Sequence, residues 1–160
     1  MNEKQFEIKY HKYKLDIYKI CFSYLKNEFD TDDAIQETFI KFHRINKSFK
    51  TPTDEKRYLI RIAINVCHDI YRQRKKQPIL KENFDFLDVK KEDFEDSKEI
   101  INLVDSLNSR LKDVIVLKYF QNYSYEEISK TLNISEEAAR KRHQRAIEYL
   151  RKLMEDKESE

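Results

Sequence analysis

The sequence predicts an all-α protein built as two small helical domains joined by a flexible linker. Glycine is absent from its 160 residues and proline occurs only twice. Apolar residues recur at three- and four-residue spacing along most of the chain, the period of an α-helix. That period fails between Gln77 and Asp96 and resumes beyond it. The expected organisation is therefore a first domain over 1–76, a linker over 77–96 and a second domain over 97–160, each domain near the lower size limit for a self-sufficient core.

Each element follows from its own pattern. Phe6, Tyr10, Tyr13, Ile17, Ile20, Cys21 and Tyr24 predict a first helix from about Glu3 to Lys26. After the polar link NEFDTD, where Asp30 and Thr31 are candidate N-caps, Ala34, Ile35, Thr38, Phe39, Phe42 and Ile45 line a second helix. Thr53 or Asp54 is expected to cap a third, whose apolar stripe is Leu59, Ile62, Ala63, Val66 and Ile70. Ile100, Ile101, Val104 and Leu107 restart the period, and Leu111, Val114, Ile115 and Leu117 continue it after the candidate cap Ser109. Ser124 and Glu127 form an S-x-x-E capping box ahead of Ile128 and Leu132, and Ser135 can cap a last helix through Ala138, Ala139, Ala146, Ile147 and Leu150. These last two helices, joined by TLNIS, predict a helix-turn-helix, with Asn133 at the left-handed position where glycine is usual.

Composition narrows the function. Gly-rich phosphate cradles and dinucleotide fingerprints need glycines, so P-loop and Rossmann enzymes are excluded. Cys21 and Cys67 lie far apart on apolar faces and are expected to be buried free thiols, with neither metal-ligand spacing nor a disulfide framework. No nucleophile constellation and no clustered His, Cys or Asp site appears, so the expectation is no enzyme, no catalytic residue, no metal and no cofactor. The N-terminus lacks an apolar h-region and no apolar run approaches the ~20 residues of a membrane span, which predicts a soluble, cytoplasmic protein without membrane insertion.

Charge is balanced overall, 32 Lys+Arg against 30 Asp+Glu, yet it is not evenly spread. The third helix ends in Arg72, Arg74, Lys75 and Lys76, more cations than its dipole can use. Upstream on the same helix, Tyr58, Arg61 and Asn65 interleave an aromatic, a cation and a donor-acceptor amide. That combination suits a single nucleic-acid strand, where rings take unstacked bases and cations take phosphates. Position alone also allows Asn65 to be a satisfied core amide or an ordinary surface residue. On the last helix Arg140, Lys141, Arg142, His143 and Arg145 follow Glu136 and Glu137, a pattern read either as a solvated face or as a helix that enters a major groove.

Three blocks in order, DDAIQETFIKFHRI, YLIRIAINVCHDIYRQRKK and LNSRLKDVIVLKYFQNYSYEEISKTLNISEEAARKRHQRAIEYLRK, resemble regions two and four of a bacterial extracytoplasmic-function sigma factor of the sigma-70 family. The resemblance implies a region 2 helical bundle that binds RNA polymerase core and opens the minus-ten promoter element, and a region 4 helix-turn-helix that holds the minus-thirty-five element. It implies that Asp33, Gln36, Glu37 and Phe39 dock on the clamp coiled coil of the largest polymerase subunit, with simple core packing as the alternative for Phe39 and Phe42. It implies that Asn65 reads a flipped base, that Tyr58, where many relatives have tryptophan, wedges or stacks, and that Arg61, Arg72, Arg74, Lys75 and Lys76 hold phosphates. Arg140, Lys141, Gln144 and Arg145 match the family's contacts on the recognition helix. Relatives commonly place small or hydroxyl residues where Glu136 and Glu137 stand. The acidic linker would follow polymerase channels, and a separate anti-sigma factor would regulate the protein.

Two other readings compete. A stand-alone, dimeric helix-turn-helix regulator accounts for the last helix but leaves QETF, the Asn65 segment and RQRKK unused, and no heptad zipper supplies dimerisation. A sigma-like decoy that binds a regulator without touching promoters would not need base-reading and phosphate-binding residues.

Overall fold

The computed structural model describes residues 1–76 and 103–158, the side chains of residues 75, 76, 157 and 158 excepted. The chain forms two compact units, Met1–Val89 and Lys90–Glu160. The described residues hold six helices and no strand, as the missing glycine and the helical period predict. The expected linker over 77–96, together with Ile100 and Ile101, lies outside the described residues.

In the first unit α1 (Glu3–Leu25), α2 (Glu28–Arg44) and α3 (Pro52–Lys76) pack against one another in all three pairings. Asn2 opens α1 with a capping box: its side chain accepts from the Gln5 N–H at 2.8 Å, and the Gln5 side chain accepts from the Asn2 N–H at 3.1 Å. Lys26, left-handed at φ 59°, ends the helix. Because the chain turns so sharply there, α2 begins earlier than expected and Asn27, not Asp30 or Thr31, is its cap, accepting from the Asp30 N–H at 2.8 Å. Asp30 and Thr31 are buried in the first turn instead. The cap of α3 also moves upstream of Thr53 and Asp54. Pro52 takes the first helical position, where its missing N–H costs nothing. Thr51 before it then accepts from the Asp54 N–H at 3.1 Å.

The core of this unit is the apolar stripe of each helix, including Ile17, Ile20, Ile35, Phe42, Leu59, Ala63 and Val66, together with both free cysteines. Each large side chain so buried contributes about 1.5–3 kcal/mol. Thr38, fully buried among them, satisfies its hydroxyl on the Ala34 carbonyl at 2.6 Å. Polar ties hold both ends of α3. Glu55 near its start takes Lys9 at 2.5 Å and the Tyr13 hydroxyl at 3.0 Å, and Arg74 near its end meets Asp30. Between these ends Lys56 pairs with Asp16 at 2.9 Å.

The second unit contains α4 (Ser109–Phe120), α5 (Tyr125–Leu132) and α6 (Glu136–Glu158). Asn108, one residue before the expected Ser109, caps α4 by accepting from the Leu111 N–H at 3.0 Å. Val114, Ile115, Val116 and Leu117 are all buried, so the middle of this short helix is enclosed all round rather than amphipathic. Ser124 caps α5 as expected, although its hydroxyl donates to the Glu127 carboxylate at 3.2 Å, in place of the return bond from a backbone N–H. Asn133 ends α5 at φ 56° and ψ 50°, the predicted left-handed cap, and the Ile134 N–H reaches back to the Ser129 carbonyl at 3.1 Å. Ser135 caps α6 through the Ala138 N–H at 3.0 Å. Ala139 and Ala146 are fully buried, and their small side chains let α6 approach its neighbours closely. The helix-turn-helix is α5, the Asn133 turn and α6.

Candidate nucleic-acid interface

The third helix buries one side and exposes the other. Leu59, Ile60, Ala63, Ile64, Val66 and Cys67 face the core, whereas Arg61, Asn65 and Arg72 are exposed. Tyr58, Arg61, Asn65 and Arg72 follow one another at helical spacing, so the outward side of α3 presents an aromatic, two cations and an amide in line. Asn65 is therefore not a core amide, which removes the first of its two structural readings. Arg72 pairs with Asp69 at 2.5 Å, an exposed i,i+3 contact of the kind worth little and easily exchanged for phosphate.

Arg74 does not share this line. Its guanidinium meets the Asp30 carboxylate at 2.7 and 2.9 Å, and Asp30 is only 4% exposed and takes a further bond from the Asn27 amide at 2.9 Å. The residue expected to hold phosphate thus joins the end of α3 to the start of α2. Lys75 and Lys76 close α3, and their side chains lie outside the described residues.

Tyr58 is half-buried and already has company. Phe49 lies 5.4 Å away between ring centroids, and Lys47 stands 4.6 Å above the Tyr58 ring. Both neighbours belong to the α2–α3 connection, which sequence patterning passed over as a mere break between helices. The signal was an aromatic and two cations within NKSFK, the same interleaving that singled out α3. This connection also lines an open cleft of about 400 Å³ with Gln5, Lys9, Phe42 and Glu55.

On α2, Asp33, Gln36 and Glu37 are exposed, and Glu37 pairs with Lys41 at 3.3 Å. The same side carries Phe29 at 52% and Ile40 at 49% exposure, large apolar groups left in water. Phe39 differs from its neighbours. It is 2% exposed and meets Tyr10 edge-on at 4.8 Å and Phe6 at 6.3 Å, so it supports this surface from beneath instead of forming it. Core packing is the reading that holds for both Phe39 and Phe42.

In the second unit Arg140, Lys141, Gln144 and Arg145 are all exposed on α6, opposite the buried Ala139 and Ala146. Lys141 meets Glu137 at 3.2 Å, so one of the two unexpected carboxylates is engaged within the helix. The Arg140 guanidinium lies 5.4 Å from the Tyr125 ring centroid, and Lys118 lies 4.5 Å from it. The Tyr125 hydroxyl and His143 Nδ1 are 2.7 Å apart. Burial, and then the Lys118 charge, hold the His143 imidazole below its ordinary value of 6.5. No group of residues able to hold a metal ion occurs among the described residues, and no helix there is long and apolar enough to cross a membrane.

This arrangement, a three-helix unit with an exposed aromatic and basic helix and a separate helix-turn-helix unit, is that of a transcription initiation subunit. Residues 10–77 match the family model for sigma-70 region 2, and residues 103–152 match that for sigma-70 region 4. Two curated relatives from Bacillus subtilis (strain 168) are similar along nearly their whole length. The ECF RNA polymerase sigma factor SigX is 30% identical, with 96% of this chain and 85% of that protein covered. The ECF RNA polymerase sigma factor SigW is 31% identical, with 90% and 86% covered. The solved structure of CnrH in complex with the cytosolic domain of CnrY shares the fold, with a TM-score of 0.73 at 22% identity over 97% of this chain and 90% of that one. The chain belongs to the extracytoplasmic-function sigma factors of the sigma-70 family. It acts with RNA polymerase core on promoter DNA, in promoter-specific initiation of transcription.

Proposed function

We propose that the two units divide the promoter between them, 1–76 taking the polymerase core and the minus-ten element and 97–160 the minus-thirty-five element, with 77–96 as the linker. The observation that carries this reading is the outward line of Tyr58, Arg61, Asn65 and Arg72 on a helix whose opposite side is fully buried. A single strand needs a ring for an unstacked base, an amide for its edge and cations for its backbone, and this line supplies all three. Asn65 reads the edge of the flipped base, Tyr58 stacks, and Arg61, Arg72, Lys75 and Lys76 hold the backbone. Arg74 supports them by fixing the end of α3. Unstacking costs a few kcal/mol per base, which capture of the flipped base offsets, so melting needs no nucleotide hydrolysis. The protein is on this reading a non-enzymatic, cytoplasmic factor.

Asp33, Gln36 and Glu37, with the exposed Phe29 and Ile40 beside them, form the surface for the clamp coiled coil of the largest polymerase subunit. Their mixture of acid, amide and apolar groups suits a basic amphipathic helix pair. Arg140, Lys141, Gln144 and Arg145 read the minus-thirty-five duplex from α6. An anti-sigma factor that covers these surfaces would keep the protein inactive. CnrH is solved with the cytosolic domain of CnrY, and a Bartonella quintana sigma factor with the anti-sigma factor NepR.

Run-off transcription with purified polymerase core on a library of randomised promoters tests the division. The wild-type protein yields transcripts that share a two-part upstream motif. Asn65→Ala still binds core, yields about tenfold less transcript and loses preference at one minus-ten position, the cost of one base-edge contact. Unchanged opening and unchanged preference would remove Asn65 from the site.

A further inference from the structure

We propose that Tyr125 is a positioning residue for promoter recognition, pre-orienting the Arg140 guanidinium at the start of the recognition helix. The inference rests on the reading of Arg140 as a duplex contact. Tyr125 is the first residue of α5, and its side chain ties α4, α5 and α6 together. Its ring takes Arg140 of α6 at 5.4 Å and Lys118 of α4 at 4.5 Å, while its hydroxyl lies 2.7 Å from His143 Nδ1 on α6.

The division of labour follows from the chemistry of each group. A guanidinium held through a ring face keeps its N–H donors uncommitted, so the contact restrains Arg140 without using the atoms that would meet a guanine edge or a phosphate. A long side chain ordered before binding loses less entropy on binding, and that gain favours the site where its donors fit. His143 supplies the second constraint. The 2.7 Å hydrogen bond between the phenol oxygen and Nδ1 ties the ring to α6, so it cannot swing away with the cation it carries. His143 is thus a positioning residue one step further from the DNA.

The test uses the full-length protein and a randomised duplex library, which measures duplex recognition without promoter opening. Arg140→Ala flattens base preference at one or two positions of the selected sequence. Tyr125→Met, which keeps apolar bulk, flattens preference at the same positions, weakens binding about two- to fivefold as loss of a cation–π contact would, and adds nothing in the Arg140→Ala background. Tyr125→Phe, which keeps the ring and loses only the bond to His143, flattens the preference less than Tyr125→Met does. If Arg140→Ala changes neither affinity nor preference, the reading of α6 falls and the inference with it. If Arg140→Ala flattens preference and Tyr125→Met leaves those positions sharp, or lowers affinity additively in the Arg140→Ala background, the positioning role alone is overturned. Nuclear magnetic relaxation of the Arg140 Nε–H in the unmodified protein decides the matter should Tyr125→Met unfold. A restrained signal is expected, and free rotation would overturn the proposal.

Discussion

Arg74 illustrates how far a single residue's role depends on what the fold places opposite it. In sequence it is one of four cations that end α3, indistinguishable from Arg72. In the folded unit it meets Asp30, a carboxylate only 4% exposed, whereas Arg72 meets the exposed Asp69. Removing Arg74 leaves a buried charge with the Asn27 amide alone at its side chain, so Arg74→Ala is expected to cost about 2–3 kcal/mol in urea unfolding. Arg72→Ala is expected to cost less than about 0.5 kcal/mol. Equal losses would show that the Asp30 contact does not hold the helices together. Patterning could not separate these two arginines, because the partner lies 44 residues away. It could not separate Phe39 from Gln36 and Glu37 either, since a motif read as a block carries no record of which member faces inward. Asn65 was legible in part. Its flanking by Ile64 and Val66 made burial plausible, and only the angle of α3 in the bundle turns it outward.

At the scale of elements, the six helices of the described residues were all expected; three of their starts fell where the sequence placed them and three were displaced by one to four residues. Each displacement has a local cause. Asn27 displaced Asp30 and Thr31 because Lys26 turns the chain early, Pro52 moved the next cap to Thr51, and Asn108 outcompeted Ser109 one position on. The Asn133 turn was legible because its requirement is steric and falls on one residue. Asn133→Val is expected to destabilise the second unit by about 1–2 kcal/mol, since a β-branched side chain is strained at φ 56°. Asn133→Gly is expected to be neutral or slightly stabilising. Urea titration checks both, and an unaffected Asn133→Val protein would mean that this turn does not need its left-handed residue. The α2–α3 connection was the element least legible in sequence. Its Lys47 and Phe49 have no period, and their meaning depends on their lying against Tyr58.

For the whole molecule, two small cores replace one large one, and each contains a titrating group that ties its stability to pH. In the first unit burial, then the charges of Glu28 and Asp32, push the Tyr18 phenol up to about 12 from 10.0. The unfolded chain therefore releases this proton first, and the contribution of Tyr18 is intact below pH 10 and lost as pH rises from 10 to about 12. His143 in the second unit has the opposite sense. Its imidazole is held below 6.5, so the unfolded chain takes up the proton first and stability falls as pH drops below that value. Thermal unfolding across pH is expected to show acid loss relieved by His143→Gln and alkaline loss relieved by Tyr18→Phe, each confined to one transition. A single transition moved by both substitutions would contradict independent cores. The division into two units was visible in the failing period, whereas their titrating groups were not, because both shifts arise from burial. A last consequence concerns the state that these cores must outcompete. Lys26, Asn122 and Asn133 adopt left-handed backbone without any glycine to ease them. An average chain of this length would carry about eleven glycines, and each one absent narrows the unfolded ensemble by about 0.4–1 kcal/mol where the fold tolerates a side chain. Part of what keeps two such small domains folded is thus found in no native contact: it is the limited freedom of the chain when it is not folded at all.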